Sequence, residues 1–311
     1  MPKQEPLRVV SYNVRYFAHA LKGLTSTARS MRGISESLAT LVPLADVVCL
    51  QEVETDSLRA SLTVKKAHPE ETQLERLMGV LRSTFEERGL VCPYEPFYFR
   101  AHAYKFTARA NLYTTGLAML VRRDLVIDRH NAASPHDITH RAMEVTARTK
   151  QTRICAHMRL GGEHGLHVFN THLSLPTPFA KEFWRSQERM GYGPNQLAEA
   201  QTLIKFIQRE SAGEKFVVVG DFNSSPGSPV YRYLTEEIGL RDMQAAVQHK
   251  DLAELKAWPT AGFMNLRMHL DHVFAGPGVE GVDLDDSHPF GDRSGRFHGL
   301  SDHVPLVARM R

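Results

Sequence analysis

Cysteine is scarce in this chain, with three in 311 residues. The number is odd, and Cys49 and Cys155 sit in apolar segments. This argues against a disulfide framework or a thiolate zinc cluster and for reduced core positions. No stretch approaches the roughly 18 apolar residues of a membrane span. The first six residues lack the apolar run of a secretory signal, so a cytoplasmic setting is expected. Internal repeats and linker-like tracts are also missing, and one domain over residues 1–311 is expected. Neither charge sign dominates: 38 basic and 35 acidic residues leave a net charge of +3. That balance permits a polyanionic partner without demanding one. No protein partner can be inferred.

What the chain does have is a series of apolar strands, each ending in polar residues. Residues 7–14 carry Ser11 and Asn13 on one face, opposite Val10, Tyr12 and Val14. Residues 45–53 deliver Gln51 and Glu52, and residues 166–173 end in Asn170 and His172. Three valines precede Gly220, Asp221 and Asn223, and alternation predicts that positions 221 and 223 point the same way. Asp271 and His272 open a short strand, and Asp302 and His303 precede the last one. Between strands, Ile34, Leu38, Leu41 and Val42 repeat at helical spacing. So do Leu74, Leu77, Met78, Leu81 and Phe85, and later Leu197, Ala200, Leu203, Ile204 and Ile207. The order strand, helix, strand suggests crossovers between neighbouring strands.

Other stretches allow two readings. Residues 15–32 read as a basic loop, and residues 143–160 as a hairpin about Lys150. Residues 92–115 interleave aromatics with Arg100, Lys105 and Arg109, which suits either base stacking or packing on a sheet. Residues 174–194 place Phe179, Phe183 and Trp184 among cations. His136 and His140 read as a surface loop. Asp283, Asp285, Asp286 and Asp292 lack the spacing of a helix-loop-helix calcium site.

Asn13, Glu52, His172, Asp221, Asn223, Asp271, Asp302 and His303 all fall in or at the ends of strands, and they make a plausible shared site. Their oxygen ligands suit Mg²⁺ or Mn²⁺. The pieces Ser11-Tyr-Asn-Val, Leu50-Gln-Glu-Val, Asn170-Thr-His-Leu, Gly220-Asp-Phe-Asn, Leu270-Asp-His-Val-Phe and Ser301-Asp-His-Val-Pro-Leu run in order from residue 11 to 306. Together they resemble the endonuclease/exonuclease/phosphatase superfamily. The resemblance implies an α/β (α+β) four-layer sandwich, two packed mixed sheets flanked by helices, with the site at one end.

It also implies roles. Glu52 resembles the principal Mg²⁺ ligand, with Asn13 and Asp302 beside it. Asp221 resembles the residue that orients or deprotonates water, and Asn223 the amide that holds it or a phosphate oxygen. His303 looks like the histidine facing the scissile phosphate, oriented by Asp271, and His172 resembles a second such histidine. Pancreatic-type deoxyribonucleases carry a glutamate that supports this second histidine, but residues 96–115 here contain no acid. The resemblance therefore implies a Mg²⁺- or Mn²⁺-dependent phosphodiester hydrolase. A nuclease on DNA or RNA is the first expectation. A sphingomyelinase-like enzyme at a membrane lipid, a soluble-phosphate monoesterase and a non-catalytic binding module are the rivals.

Overall fold

The computed structural model describes residues 5–15, 27–54, 72–101, 105–107, 110–111, 115–140, 152–176, 189–263 and 265–311. Its first large sheet runs, in spatial order, β16 (Gly281–Asp283), β17 (Leu306–Met310), β1 (Leu7–Asn13), β2 (Val47–Glu54), β6 (Thr115–Arg122) and β3 (Tyr94–Arg100). The second runs β12 (Arg241–Asp242), β15 (Asp271–Ala275), β11 (Phe216–Asp221), β10 (Leu166–His172), β9 (Ile154–Leu160) and β7 (Ile127–His130), with β8 (His136–Asp137) also on β9. Two small hairpins complete the strands: β4 (Lys105–Thr107) with β5 (Ala110–Asn111), and β13 (Ala261–Phe263) with β14 (Leu266–Met268).

Strand alternation sorts side chains into layers. Val9, Cys49 and Met119 from the first sheet meet Val168, Val217, Val219 and Val273 from the second in one buried core. The opposite residues, Val10, Tyr12, Val48 and Leu50, face helices α1 (Thr27–Ala39) and α2 (Gln73–Glu86). Phe169, Val218 and Phe274 likewise face α3 (Pro194–Ser211) and the short α4 (Pro229–Arg232). The result is the four-layer arrangement expected. α2 begins at a reciprocal cap: Thr72 Oγ1 accepts from Glu75 N at 3.2 Å, and Thr72 N donates to Glu75 Oε2 at 2.7 Å.

A polar clamp crosses the core just below the site. Gln51 Nε2 donates to Asn170 Oδ1 at 2.7 Å. Asn170 Nδ2 donates to the carbonyls of Leu50 at 3.1 Å and Ala118 at 3.3 Å. Both side chains are fully buried, and bonding them to each other and to backbone fixes how one sheet sits on the other.

Some sequence expectations needed revision. α1 starts at Thr27, inside the stretch read as a basic loop, and residues 16–26 lie outside the described residues. Residues 143–148 also lie outside them, and β9 pairs with β10, β7 and β8. Tyr94 and Phe99 are buried sheet residues, whereas the side chains of Tyr104, Phe106 and Tyr113 are not described. His136 stacks on Phe206 with centroids 4.1 Å apart, so it is a packing residue. The unread stretch after residue 240 forms α5 (Met243–Gln248), α6 (Leu252–Lys256) and the β13–β14 hairpin. Asp286 and Asp283 pair with Arg8 and Arg309, as the rejection of a calcium loop implies. Cys49, Cys92 and Cys155 are buried and free. Among the described residues no helix is long and apolar enough to cross a membrane.

Two predictions follow from the packing. Gly220 has φ +148°, and a Cβ there would run into the carbonyl oxygen of Thr171 on β10. Gly220→Ala should therefore destabilise by about 1–3 kcal/mol in urea unfolding, as overpacking does. An unchanged midpoint would refute that. His157 stacks on Phe169 and shares a 2.9 Å hydrogen bond with His167. Burial, then the charge of His167, pushes His157 from 6.5 down to about 3. The unfolded chain takes a proton that the folded chain refuses, so stability is complete above pH 6.5 and falls toward pH 3. His157→Phe should flatten that slope by up to about 1.4 kcal/mol per pH unit. Parallel profiles for wild type and variant would sink the assignment.

Candidate active site

The inner-face positions of adjacent strands converge at one end of the two sheets. Register places Asn13 beside Gln51, His172 beside Asp221, and Asp221 beside Asp271. Glu52 gets there differently. After Gln51 on the inner face, simple alternation would send Glu52 outward into the helix layer. Instead β2 carries an irregularity between Leu50 and Val53, and Glu52 has φ +56°. This bulge turns the carboxylate into the cleft and lets Val53 return to the outer core.

Asn13 joins the two sheets here. Its Nδ2 donates to Asp221 Oδ2 at 3.0 Å and to Glu52 Oε1 at 3.2 Å. Asp221 Oδ1 accepts the backbone N–H of Asn223 at 2.9 Å. Asn223 has φ +47°, and its Nδ2 donates to Leu173 O at 2.9 Å. Positions 221 and 223 therefore reach the same cleft through an Asx turn; the strand ends at Asp221, and pleat alternation is not what aligns them. From below, Gln196 Nε2 donates to the carbonyls of Asn223 and Ser174, both at 2.8 Å.

His303 Nδ1 lies 2.8 Å from Asp271 Oδ2, and its Nε2 is 3.8 Å from Asp221 Oδ2. Thr260 Oγ1 accepts the backbone N–H groups of Leu270 at 2.9 Å and Asp271 at 3.0 Å, which fixes the carboxylate. Ser301 Oγ donates to Asn13 O at 2.9 Å and so pins the 301–303 segment to β1. Asp302 is ion-paired with Arg15. His172 Nε2 lies 3.5 Å from Asp221 Oδ2 and 3.8 Å from Glu52 Oε1. These two carboxylates face the histidine for which residues 96–115 supply no acid.

Burial and charge give the groups different proton affinities. Burial, then the charge of Asp271, pushes Asp221 well above the usual carboxylate range. Burial, then the charge of Asp302, also raises Glu52. Burial alone would lower His303, but Asp271, Asp221 and Asp302 hold it well above an ordinary histidine. His172 goes the opposite way, driven well down by burial and by the charges of Arg153 and His303. The site thus contains one imidazolium, one neutral imidazole and a carboxylate with raised proton affinity. It can take a proton from water and stabilise negative charge. Glu52, Asp302 and Asn13 form an oxygen-rich set suited to a hard divalent cation, which would offset the raised proton affinity of Glu52.

All eight residues singled out in the sequence are brought to this end of the sheets. Reading the sequence missed Arg153, whose buried side chain lines the cleft beside Glu52 and His172. It also missed Thr260 and Gln196, and it gave Ser301, though part of a quoted motif, no role. Their signal is purely tertiary, since each acts on a residue distant in sequence. The cleft has a volume of about 320 Å³. One wall is the polar set, and the other is Phe263, Leu266, Met268 and Leu270 from the β13–β14 hairpin and the turn after it, with Met190 and Leu175.

Residues 10–303 match the model of the Endonuclease/Exonuclease/phosphatase family. A sphingomyelinase of Mycobacterium tuberculosis is 29% identical over 157 residues, 48% of this chain but only 28% of that protein's length. The human Nocturnin catalytic domain, solved with bound sulfate, shares 20% identity and a TM-score of 0.57 over 99% of this chain and 93% of that one. A family protein from Leptotrichia buccalis shares 16% identity and a TM-score of 0.63 over 98% and 99%. With its fold, its strand-end carboxylates and histidines and a match across nearly its whole length, the chain belongs to the endonuclease/exonuclease/phosphatase family.

Proposed function

We propose that the protein is a Mg²⁺- or Mn²⁺-dependent phosphodiester hydrolase whose substrate carries an aliphatic group next to the phosphate, as a phospholipid such as sphingomyelin does. The observation that carries the substrate class is the two-sided cleft. A polar wall that can hold a phosphodiester faces an apolar wall of leucine and methionine side chains with one phenylalanine, Phe263, and its mainly aliphatic surface suits alkyl groups. The similarity to a sphingomyelinase supports the same class. Nucleic acid is the second reading, favoured by Arg15 and Arg153 on the cleft lining, which could pair with phosphates. Phe179, Phe183 and Trp184 of the 174–194 segment lie outside the described residues.

In this reading Asp221 takes the proton of the attacking water as its oxygen bonds to phosphorus. Asn13 and the N–H of Asn223 fix the carboxylate for that task. The water oxygen joins phosphorus as the bond to the ester oxygen opposite breaks. The departing oxygen takes up a proton from solvent to leave as the alcohol, and His303 hydrogen-bonds to the phosphate as negative charge builds. Asp271 keeps His303 protonated and oriented. His172 presents a neutral ring to the other side of the phosphate, Asn223 holds a phosphate oxygen, and Arg153 adds fixed positive charge. Glu52, Asp302 and Asn13 would hold the divalent ion, whose chemistry is to neutralise the non-bridging oxygens.

Asp221→Ala and His303→Ala should each lower turnover at least about a hundredfold while unfolding midpoints stay near wild type. Near-normal turnover in either purified variant refutes the roles given. Chelation with EDTA should abolish activity, with Mg²⁺ or Mn²⁺ restoring it; full activity in the chelator removes the metal from the mechanism. Hydrolysis requires ionised Asp221 and protonated His303, so kcat/KM should be bell-shaped in pH. Removing the Asp271 charge lowers both proton affinities, so Asp271→Asn should move both limbs to lower pH. A limb that moves to higher pH contradicts this scheme. Substrate class is tested side by side on sphingomyelin vesicles, single- and double-stranded DNA, RNA and inositol phosphates. Faster cleavage of sphingomyelin is expected, and cleavage of nucleic acid alone would favour the second reading.

A further inference from the structure

A second polar cluster lies on the opposite face of the second sheet, behind the catalytic cleft. It comprises Asp242, the last residue of β12, His269, just before β15, and His272, the second residue of β15. All three are buried, at 5%, 2% and 1% exposure. One ligating atom from each lies within 4.8 Å of the others. Around them are Phe222, Tyr231, Phe274 and Trp258, so the cluster sits in an aromatic cage, away from the water of the cleft.

Hydrogen-bond accounting shows what can occupy the space between them. A carbonyl oxygen only accepts, so a ring nitrogen bonded to one must carry the hydrogen. His272 Nε2 meets Ser224 O at 2.8 Å, and His269 Nδ1 meets Trp258 O at 2.7 Å. In neutral rings this leaves lone pairs on His272 Nδ1 and His269 Nε2. Yet His272 Nδ1 lies 3.1 Å from Asp242 Oδ2, an acceptor against a carboxylate. His269 Nε2 is buried with no hydrogen-bond partner. The other oxygen of Asp242 is engaged with the N–H groups of Gln244 at 2.9 Å and Ala245 at 3.1 Å, capping α5. The carboxylate also takes a side-chain hydrogen bond from Tyr231, so the one atom of the cluster left wholly without a partner is His269 Nε2. A proton on His272 would satisfy that ring and Asp242 but leave His269 Nε2 orphaned. A cation bonded by all three satisfies every one of them.

We infer that Asp242, His269 and His272 form a second metal site, structural in role, for a divalent transition ion of the zinc class. Two imidazoles and a carboxylate are zinc-type donors, whereas Mg²⁺ takes oxygen ligands. Each histidine bonds a backbone carbonyl through the nitrogen turned away from the site, an arrangement that fixes tautomer and ring direction in zinc-bound histidines. The ion joins β12, the chain entering β15 and, through Ser224, the turn that follows Asn223. Next to His272 in sequence, on the other side of the sheet, is Asp271, so the site braces the strand that orients His303.

The test uses the full chain, stripped with a chelator, desalted and titrated with Co²⁺ and then Zn²⁺. One equivalent of Co²⁺ should give the intense visible bands of a tetrahedral ion, which six-coordinate oxygen ligands do not produce, and Zn²⁺ should displace it and raise the Tm. The bands should survive in Glu52→Gln, which removes a carboxylate from the catalytic cleft, and disappear in His269→Gln. A wild-type chain that shows neither bands nor Zn²⁺ stabilisation overturns the inference, and that measurement needs no variant to fold. Bands that persist in folded His269→Gln, or vanish in folded Glu52→Gln alone, place the ion elsewhere and also overturn it.

Discussion

The site depends on the side-chain amide of Asn13. Glu52 comes from the first sheet and Asp221 from the second, and each would be a poorly compensated buried acid without a donor between them. Asn13 gives one hydrogen to each and thereby sets the spacing of two carboxylates from different layers. Its own position is held by Ser301 through the Asn13 carbonyl, and by the Arg15 N–H, which donates to Asn13 Oδ1 at 2.9 Å. Below it, the Gln51–Asn170 clamp prevents the sheets from sliding. These few neutral amides therefore organise all the charged groups of the cleft.

The polarity of the cleft then follows from geometry. Asp271 and Asp221 lie on neighbouring strands in register, so with burial Asp271 raises the proton affinity of Asp221, and both carboxylates raise that of His303. His172, two positions beyond Asn170 on the adjacent strand, lies nearer Arg153 and responds in the opposite direction. Two imidazoles facing one phosphate-sized space can thus carry different charges at the same pH.

Much of this was legible from residue order. Apolar runs ending in Asn13, Glu52, His172 and Asp221, and one beginning at Asp271, mark strands with a polar end, and a sheet that pairs them in register gathers such ends. Two things were not legible. The bulge at Glu52 breaks the two-residue period by one residue, and no composition rule announces a positive φ at a glutamate. The support from Thr260 and Arg153 depends on chain reversals after residue 240 and before β9, where short elements leave no periodic signal. Gln196 opens α3, whose period announces the helix but not the two carbonyls it reaches. Asn223 lay between these cases: its residue type was informative, but the strand alternation used to aim it was the wrong geometry.

The pairing of β1 with β17 has a consequence for biosynthesis. The strand formed by residues 7–11 waits, through nearly three hundred residues of synthesis, for residues 306–310 to pair along its free edge. Asp302 and His303 arrive with that final partner. A nascent chain can collapse around β2, β6 and the second sheet, but it holds an incomplete set of groups until the late strand docks beside the early one. The candidate site is thereby incomplete in partly made molecules and is closed only when the two ends of the fold have met.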